Sequence, residues 1–416
     1  MIAIIIYFLL VVLVITSKIF ILVTEQAPFS MPLLVIDVIL TLTMFIAGIL
    51  YWAKHRPADE KKKADSGNKP MIVLLIIVGI SMFINLNKTS MDWDSISLFD
   101  ARAKYFLNGV KFSEMGNYTK YDIPENRPYY LLYPPFTSFT HIVWKLSKSN
   151  IPVSVIYSGY LFALLYVLFS YSRGRFSGFL TALLIIVVGF NRDIFTISTL
   201  EYSNLPFTLY IIAGLLLLIK GLEEKSIWSM IMSGLLISSS VWIRQLEPVW
   251  MLISLSLLIC GFISKRKDAI FCSLYIAAIS ALSYLSWKSF VSGYSDTPTL
   301  IRYGINEFVR PIKGVSTGEL ITVVIYTIKT WGLYMLAYLI AITLGIMKIK
   351  RVARYPDLSI LLLFLTLTIL FYFVGLYFMS FQKESWMILG NSLIRSSTFL
   401  VPIAAIYLFS SSKITR

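Results

Sequence analysis

A helix of about 20 apolar residues is long enough to cross the roughly 30 Å hydrocarbon core of a bilayer, and this chain of 416 residues is built largely from stretches of that kind. About twelve can be read: 1–23, 33–53, 71–88, 151–171, 176–190, 203–219, 227–243, 247–263, 269–291, 320–347, 357–379 and 393–411. Inside a bilayer every backbone N–H and C=O must be bonded within the chain, so continuous apolar runs of this length imply helices. The expected class is an all-α polytopic membrane protein with ten to thirteen crossings. The pair 227–243 and 247–263 also fits a re-entrant hairpin. The run 1–23 lacks a basic start and a small-residue cleavage site, so it reads as a retained helix.

The residues are 57% hydrophobic and 14% charged, against about a quarter charged in soluble domains. Lys and Arg nevertheless outnumber Asp and Glu by 37 to 22, a net charge of +15. With so little polar surface, that excess does not describe a nucleic-acid binder. It falls on alternate loops: KHRPADEKKKADSGNKP at 54–70, SRGR at 172–175, KGLEEK at 220–225, SKRKD at 264–268, KIKRVAR at 348–354, and the tail SSKITR. Basic loops stay on the cytoplasmic side, so both termini are expected inside and the loops 89–150, 190–202, 292–319 and 380–392 outside. An inner, plasma-membrane location is expected, with any active site on the periplasmic or extracytoplasmic face. The two histidines, His55 and His141, and the two cysteines, Cys260 and Cys272, form neither a metal spacing nor a convincing disulfide.

Loop 89–150 is rich in Tyr, Trp, Phe and Pro, a composition that folds against the membrane surface. Its first part, MDWDSISLFDARAKYF, predicts an amphipathic interfacial helix with Ile96, Phe99, Ala103 and Phe106 as the apolar stripe. Acids at its start, Asp92 and Asp94, suit the positive end of a helix dipole. Asp94 is either a helix cap or a general base or metal ligand at the boundary, and Asp100 and Tyr133 are further candidates in this loop. Glu201 and Asp193 lie in a second outer loop; boundary carboxylates are costly unless paired or solvated, so they are site candidates, a cap or a surface charge being the ordinary alternative. Glu201 and Asn204, three apart, would share one face of a helix beginning there. Arg244 lies in a very short outer turn, where it either pairs with Glu247 or grips a phosphate with its planar fork. Arg395 either snorkels outward or does the same.

The order of these outer elements resembles the GT-C superfamily of integral-membrane glycosyltransferases, which take sugar from a polyprenyl-phosphate carrier. WDSISLFDARAKYF (93–106), YYLLYPP (129–135), EYSNLPFTLYI (201–211) and WIRQLEP (242–248) carry the resemblance across residues 71–265, with an echo in SLIRSSTFLVP (392–402). The resemblance implies a catalytic core over 71–265 with outer loop 89–150, preceded by two additional helices and a basic loop (1–70) and followed by C-terminal helices with outer loop 292–319 (266–416). It implies that Asp94 is the base acting on an acceptor hydroxyl, with either Glu201 or Asp193 substituting as a second acid or no second acid needed. The chain departs where Asn204 stands in place of a frequent acid and where Arg244 and Glu247 are one residue further apart.

Such a transfer needs a base near the nucleophile and positive charge near the leaving phosphate. Arg244, Arg102, Lys104 and Arg395 are the candidates for the latter. The expected reaction is inverting hexosyl transfer to a surface glycan such as O-antigen, glucose being the sugar of the O-antigen-modifying members. No cofactor is assigned; if a divalent cation is used, Asp94 and Glu201 are its ligands. Expected partners are the lipid-linked donor, a lipid-linked or surface glycan acceptor and the bilayer, not nucleic acid. Two other classes stay open: an O-antigen polymerase, for which Arg302, Arg310 and Lys313 in loop 292–319 would matter, and a lipid-linked glycan flippase or transporter, which calls for ionisable groups within spans. Asp37 is the nearest to that pattern.

Overall fold

The computed structural model describes residues 2–25, 31–55, 69–88, 95–115, 133–148, 150–245, 248–292, 317–347, 355–382 and 390–411. Asp92, Asp94, Glu247, most of loop 292–319 and much of the basic loop 54–70 lie outside them. Helices dominate, and among the described residues the only β pairing is one isolated bridge, Arg173 to Phe176. In chain order the helices are α1 (Ile2–Thr24), α2 (Pro32–Lys54), α3 (Lys69–Leu86), α4 (Ala101–Leu107), α5 (Phe136–Leu146), α6 (Val155–Ser172), α7 (Gly178–Gly189), α8 (Arg192–Ile197) and α9 (Asn204–Glu224). They continue with α10 (Ile227–Val241), α11 (Val249–Ile263), α12 (Lys267–Ser292), α13 (Thr317–Trp331), α14 (Leu333–Met347), α15 (Pro356–Gln382), α16 (Gly390–Ser396) and α17 (Leu400–Ser411).

Among the described residues, seven helices are long and apolar enough to cross a membrane: α1, α2, α3, α6, α9, α12 and α15. The chain is therefore an all-α, polytopic membrane protein. Four of the expected spans are shorter helices of 12 to 15 residues, α7, α10, α11 and α17. At 1.5 Å per residue these rise only about 18–23 Å. The expected span 320–347 is two helices, α13 and α14, that bend by 103° at a short break; counting that pair as one span brings the total to eight.

Helix ends follow local chemistry. Pro32 opens α2, where a missing N–H costs nothing. Ser177 Oγ accepts from Leu180 N at α7, Asn191 Oδ1 accepts from Asp193 N and Ile194 N at α8, and Ser226 Oγ accepts from Ser229 N at α10. Lys225 ends α9 in the left-handed region, φ 53°.

Helix α9 is the central element, nearly all of it buried, with α10 and α6 against it. The pair α1–α2 packs into the bundle, α2 against both α10 and α12 and α1 against α10, α6 and α5. Large apolar side chains such as Leu75 and Phe83 on α3 and Phe271 on α12 face outward, as lipid-facing surfaces do. Close contact between α9 and α10 depends on Gly214, where a Cβ would stand 2.7 Å from Ile237 and 3.1 Å from the Ser233 carbonyl oxygen. Gly214→Ala is expected to cost about 1–3 kcal/mol through overpacking. Gly79→Ala on α3, where a Cβ meets nothing within 4 Å, is expected to gain about 0.5–1 kcal/mol. Thermal unfolding in detergent reads both, and equal signs for the two would contradict this packing.

Candidate functional site

A buried polar seam builds one wall of the site. Asn85, in the last turn of α3, donates to Ser158 Oγ and to the Ser198 carbonyl, both at 2.8 Å, and Ser81 Oγ lies 3.0 Å from the hydroxyls of Ser158 and Ser198. The seam joins α3, α6 and the chain leading into α9. Its consequence is a fixed position for Glu201, which is 1% exposed. Lys88, just beyond α3, donates to both Glu201 carboxylate oxygens at 2.9 and 3.0 Å and to the Thr199 carbonyl at 2.6 Å. Glu201 precedes α9 and does not share its face with Asn204, the helix's first residue. The expectation of a common helical face is corrected by that start point.

The first loop does not continue as one regular α-helix. Ser95–Asp100 is a π turn, after which α4 begins. A π turn adds a residue to the repeat, and the predicted stripe is broken by it: Phe99, Ala103 and Phe106 are buried while Ile96 is 52% exposed. The same shift turns Asp100 inward, where Lys145 Nζ lies 2.8 Å, Lys104 Nζ 3.0 Å and His141 Nδ1 3.7 Å from its oxygens. Asp100 thus clamps α4 to α5. His141 is bonded in turn to the Tyr157 hydroxyl, Nε2 to oxygen 3.1 Å.

Burial by itself would raise the Asp100 pKa, but the neighbouring His141 ring and the Lys145 and Lys104 ammonium groups outweigh it and hold the carboxyl far below the ordinary carboxylate range. A depressed native pKa contributes stability that is present above the unfolded value of about 3.9 and fades as pH falls below it. The melting temperature of Asp100→Asn is therefore expected to lie below that of the parent at pH 7, with the gap closing from about pH 4 downward. A gap that does not change across pH 3–7 would refute the clamp.

Three arginines from distant parts of the chain meet one aromatic cluster. Leu98, Phe99, Tyr133 and Tyr202 pack together, the Phe99 and Tyr133 rings edge to face at 6.0 Å. Arg102, 1% exposed, donates from Nη1 to the Tyr133 carbonyl at 2.8 Å. Arg244 lies over the Tyr133 ring at 5.5 Å and donates to Ser203 Oγ at 3.2 Å. Arg395 lies over the Tyr202 ring at 4.9 Å. The segment carrying Arg395 is held to α9 by the Thr208 and Thr398 hydroxyls, 3.1 Å apart, and Trp331 Nε1 donates to Ser397 Oγ at 3.1 Å. The arrangement brings three guanidinium groups to one aromatic cluster, and guanidinium forks suit a phosphoryl group.

Of the residues singled out in the sequence, Arg102, Arg244, Arg395 and Tyr133 come together, with Glu201 one residue from Tyr202. Lys104 does not join them: it is largely exposed and bound to Asp100. Asp193 opens α8 and faces Tyr334 of α14, so its surroundings differ from those of Glu201. Among the described residues no three His, Cys, Asp or Glu side chains are grouped as for a metal, and Cys260 and Cys272 are both free and buried. Sequence reading missed Lys88, whose position two residues past α3 signals only a boundary charge. It also missed Tyr202, whose one signal was adjacency to Glu201.

A second buried charge pair lies within the helices. Lys18 of α1 and Asp37 of α2 approach to 2.7 Å with side chains 1% and 3% exposed. Ser283 accepts from Lys18 at 3.0 Å, Ser286 donates to Asp37 at 3.0 Å and Thr41 donates to it at 3.2 Å. The Lys18 ammonium also lies 5.4 Å from the centre of the Trp242 ring, two residues before Arg244.

Set against models of known protein families, curated proteins and solved structures, the chain matches none of them.

Proposed function

We propose that the chain is an integral-membrane glycosyltransferase of the GT-C kind that moves a sugar, glucose being the expected one, from a polyprenyl-phosphate carrier to a periplasmic or cell-surface glycan such as O-antigen. The observation that carries this reading is the meeting of Arg102, Arg244 and Arg395 on the Tyr133–Tyr202 cluster. They come from three segments more than a hundred residues apart in sequence, and in this reading all lie at the outer face, where a lipid-linked phosphate would sit. Arginine suits that task because its fork matches phosphate geometry and its charge persists at any physiological pH.

In this reading the arginines neutralise the phosphate that departs with the prenyl chain, which would run down the lipid-facing flank of the bundle. Asp94, just ahead of the π turn, takes the proton of the acceptor hydroxyl as it attacks the anomeric carbon from the opposite face, so the product is inverted. Glu201, held by Lys88, positions sugar or acceptor hydroxyls. Counting the seven long helices, the bent pair and the four shorter apolar helices as crossings gives twelve, with both termini in the cytoplasm and the site on the outer face.

Asp94→Asn tests it, in membranes supplied with a polyprenyl-phosphate sugar. Transfer is expected to fall by about 10²–10⁴, the span that general-base catalysis covers. Full transfer by a well-expressed variant would remove Asp94 from the mechanism. Movement of the lipid-linked substrate across proteoliposomes with no new glycoside would replace the glycosyltransferase reading with a flippase.

A further inference from the structure

Contacts from α1 reach the rings around Arg102. Glu25, at the end of that helix and 5% exposed, accepts the Phe112 backbone N–H at 2.5 Å. The Phe112 ring lies 5.0 Å from the Arg102 guanidinium and packs on Trp287 at 5.3 Å and Phe290 at 5.6 Å. Trp287 packs edge to face on Trp242 at 5.2 Å, and Trp242 is the residue over which Lys18 of α1 lies. Phe20, one turn before Glu25, meets Phe106 at 5.0 Å and Phe139 at 5.5 Å. One helix thus borders the rings that run from Phe112 beside Arg102 to Trp242.

We propose that Glu25 is a positioning residue for the arginine site: by holding the Phe112 amide it fixes the ring against Arg102, and through it the guanidinium that meets the lipid-linked phosphate. The inference rests on the reading of that site given above. Phe112 opens a three-residue 3₁₀ turn, Phe112–Glu114, and so short an element has few bonds of its own to set its place. A carboxylate bonded to a backbone N–H is a charge-assisted contact, stronger than a neutral one. Displacement of a charged group by about 1 Å is enough to impair a site that works by alignment. Helix α1, which precedes the core in sequence, is by this geometry part of its working structure.

The test uses the purified full-length chain in detergent and two probes, a long-chain polyprenyl monophosphate and the same polyprenol without phosphate, with binding followed by tryptophan fluorescence. Glu25→Leu is expected to weaken phosphate binding about tenfold, the size of a coupling between contacting residues, while polyprenol binding is unchanged. Glu25→Gln keeps a carbonyl oxygen for the Phe112 amide and should stay within about twofold of the parent. In an Arg102→Ala background, Glu25→Leu should add no further loss. Equal weakening toward both probes, or a loss that adds in full to that of Arg102→Ala, would overturn the positioning role and leave the arginine site standing. Parental phosphate affinity in Arg102→Ala alone would bring down the arginine site, and the proposal with it. Should Glu25→Leu fail to fold, Phe112→Leu keeps the amide and removes the ring, and the same outcomes decide.

Discussion

Arg244→Lys is expected to lower kcat/KM for the lipid-linked sugar by about two to three orders of magnitude, the loss that follows removal of one donor aimed at developing negative charge. The residue follows α10 directly, its backbone N–H bonded to the Ser240 carbonyl at 3.0 Å. Its side chain is 8% exposed and is held between Ser203 and the Tyr133 ring. An ammonium group keeps the charge but not the planar fork, so it cannot face tyrosine, serine and phosphate at once. The loss should appear in kcat as well as in KM, because charge on the leaving phosphate grows toward the transition state. Arg266→Lys is the control: Arg266 pairs with Asp268 and donates to the Leu222 carbonyl near the far end of α9, about 30 Å from the Ser203 end by helix rise. Parental kinetics for Arg244→Lys would mean that no phosphate contacts this guanidinium.

Lys18→Met is expected to destabilise the protein by about 3–5 kcal/mol, because it leaves Asp37 as an uncompensated charge in the helix interior. Asp37→Leu should cost a similar amount by stranding Lys18. The double variant Lys18→Met/Asp37→Leu should regain most of the loss, since replacing a whole buried pair with apolar groups is about neutral or stabilising. Thermal unfolding of the four proteins in one detergent measures the cycle. Single variants that unfold with the parent would show that water or a neighbouring group solvates the surviving charge. A double variant as weak as either single would show that the serines Ser283 and Ser286, left buried beside an apolar pair, set the cost instead.

The long spans could be read from hydropathy because the bilayer demands length and apolarity together, and the ends of α1, α2, α6 and α15 fall within a few residues of the expected bounds. What hydropathy could not supply was partnership. Lys18 looks like a single interruption in an apolar run until Asp37, 19 positions on, is found 2.7 Å away. Taken singly, Arg244 reads equally as a partner of Glu247, Arg395 as a snorkelling boundary charge, and Arg102 as one basic candidate among several. Their meeting depends on packing between α9, α10 and the segment before α17, which no local pattern encodes. The π turn at Ser95–Asp100 likewise escaped an argument built on a regular 3.6-residue repeat, and with it the inward turn of Asp100. Lys104, by contrast, was chosen by charge and sidedness alone, and its exposure and its bond to Asp100 direct it elsewhere.

Helices α7 and α17, 12 residues each, pack against one another, and α7 turns apolar side chains such as Phe179 and Val187 outward. A rise of about 18 Å falls well short of the surrounding hydrocarbon thickness, and such mismatch is met by local thinning of the lipid. With α7 and α17 as crossings, the two headgroup layers would be drawn together along that flank. On the proposed function, a carrier phosphate passing α7 would then travel in a depression of the bilayer, and lipids of shorter chain length would gather there.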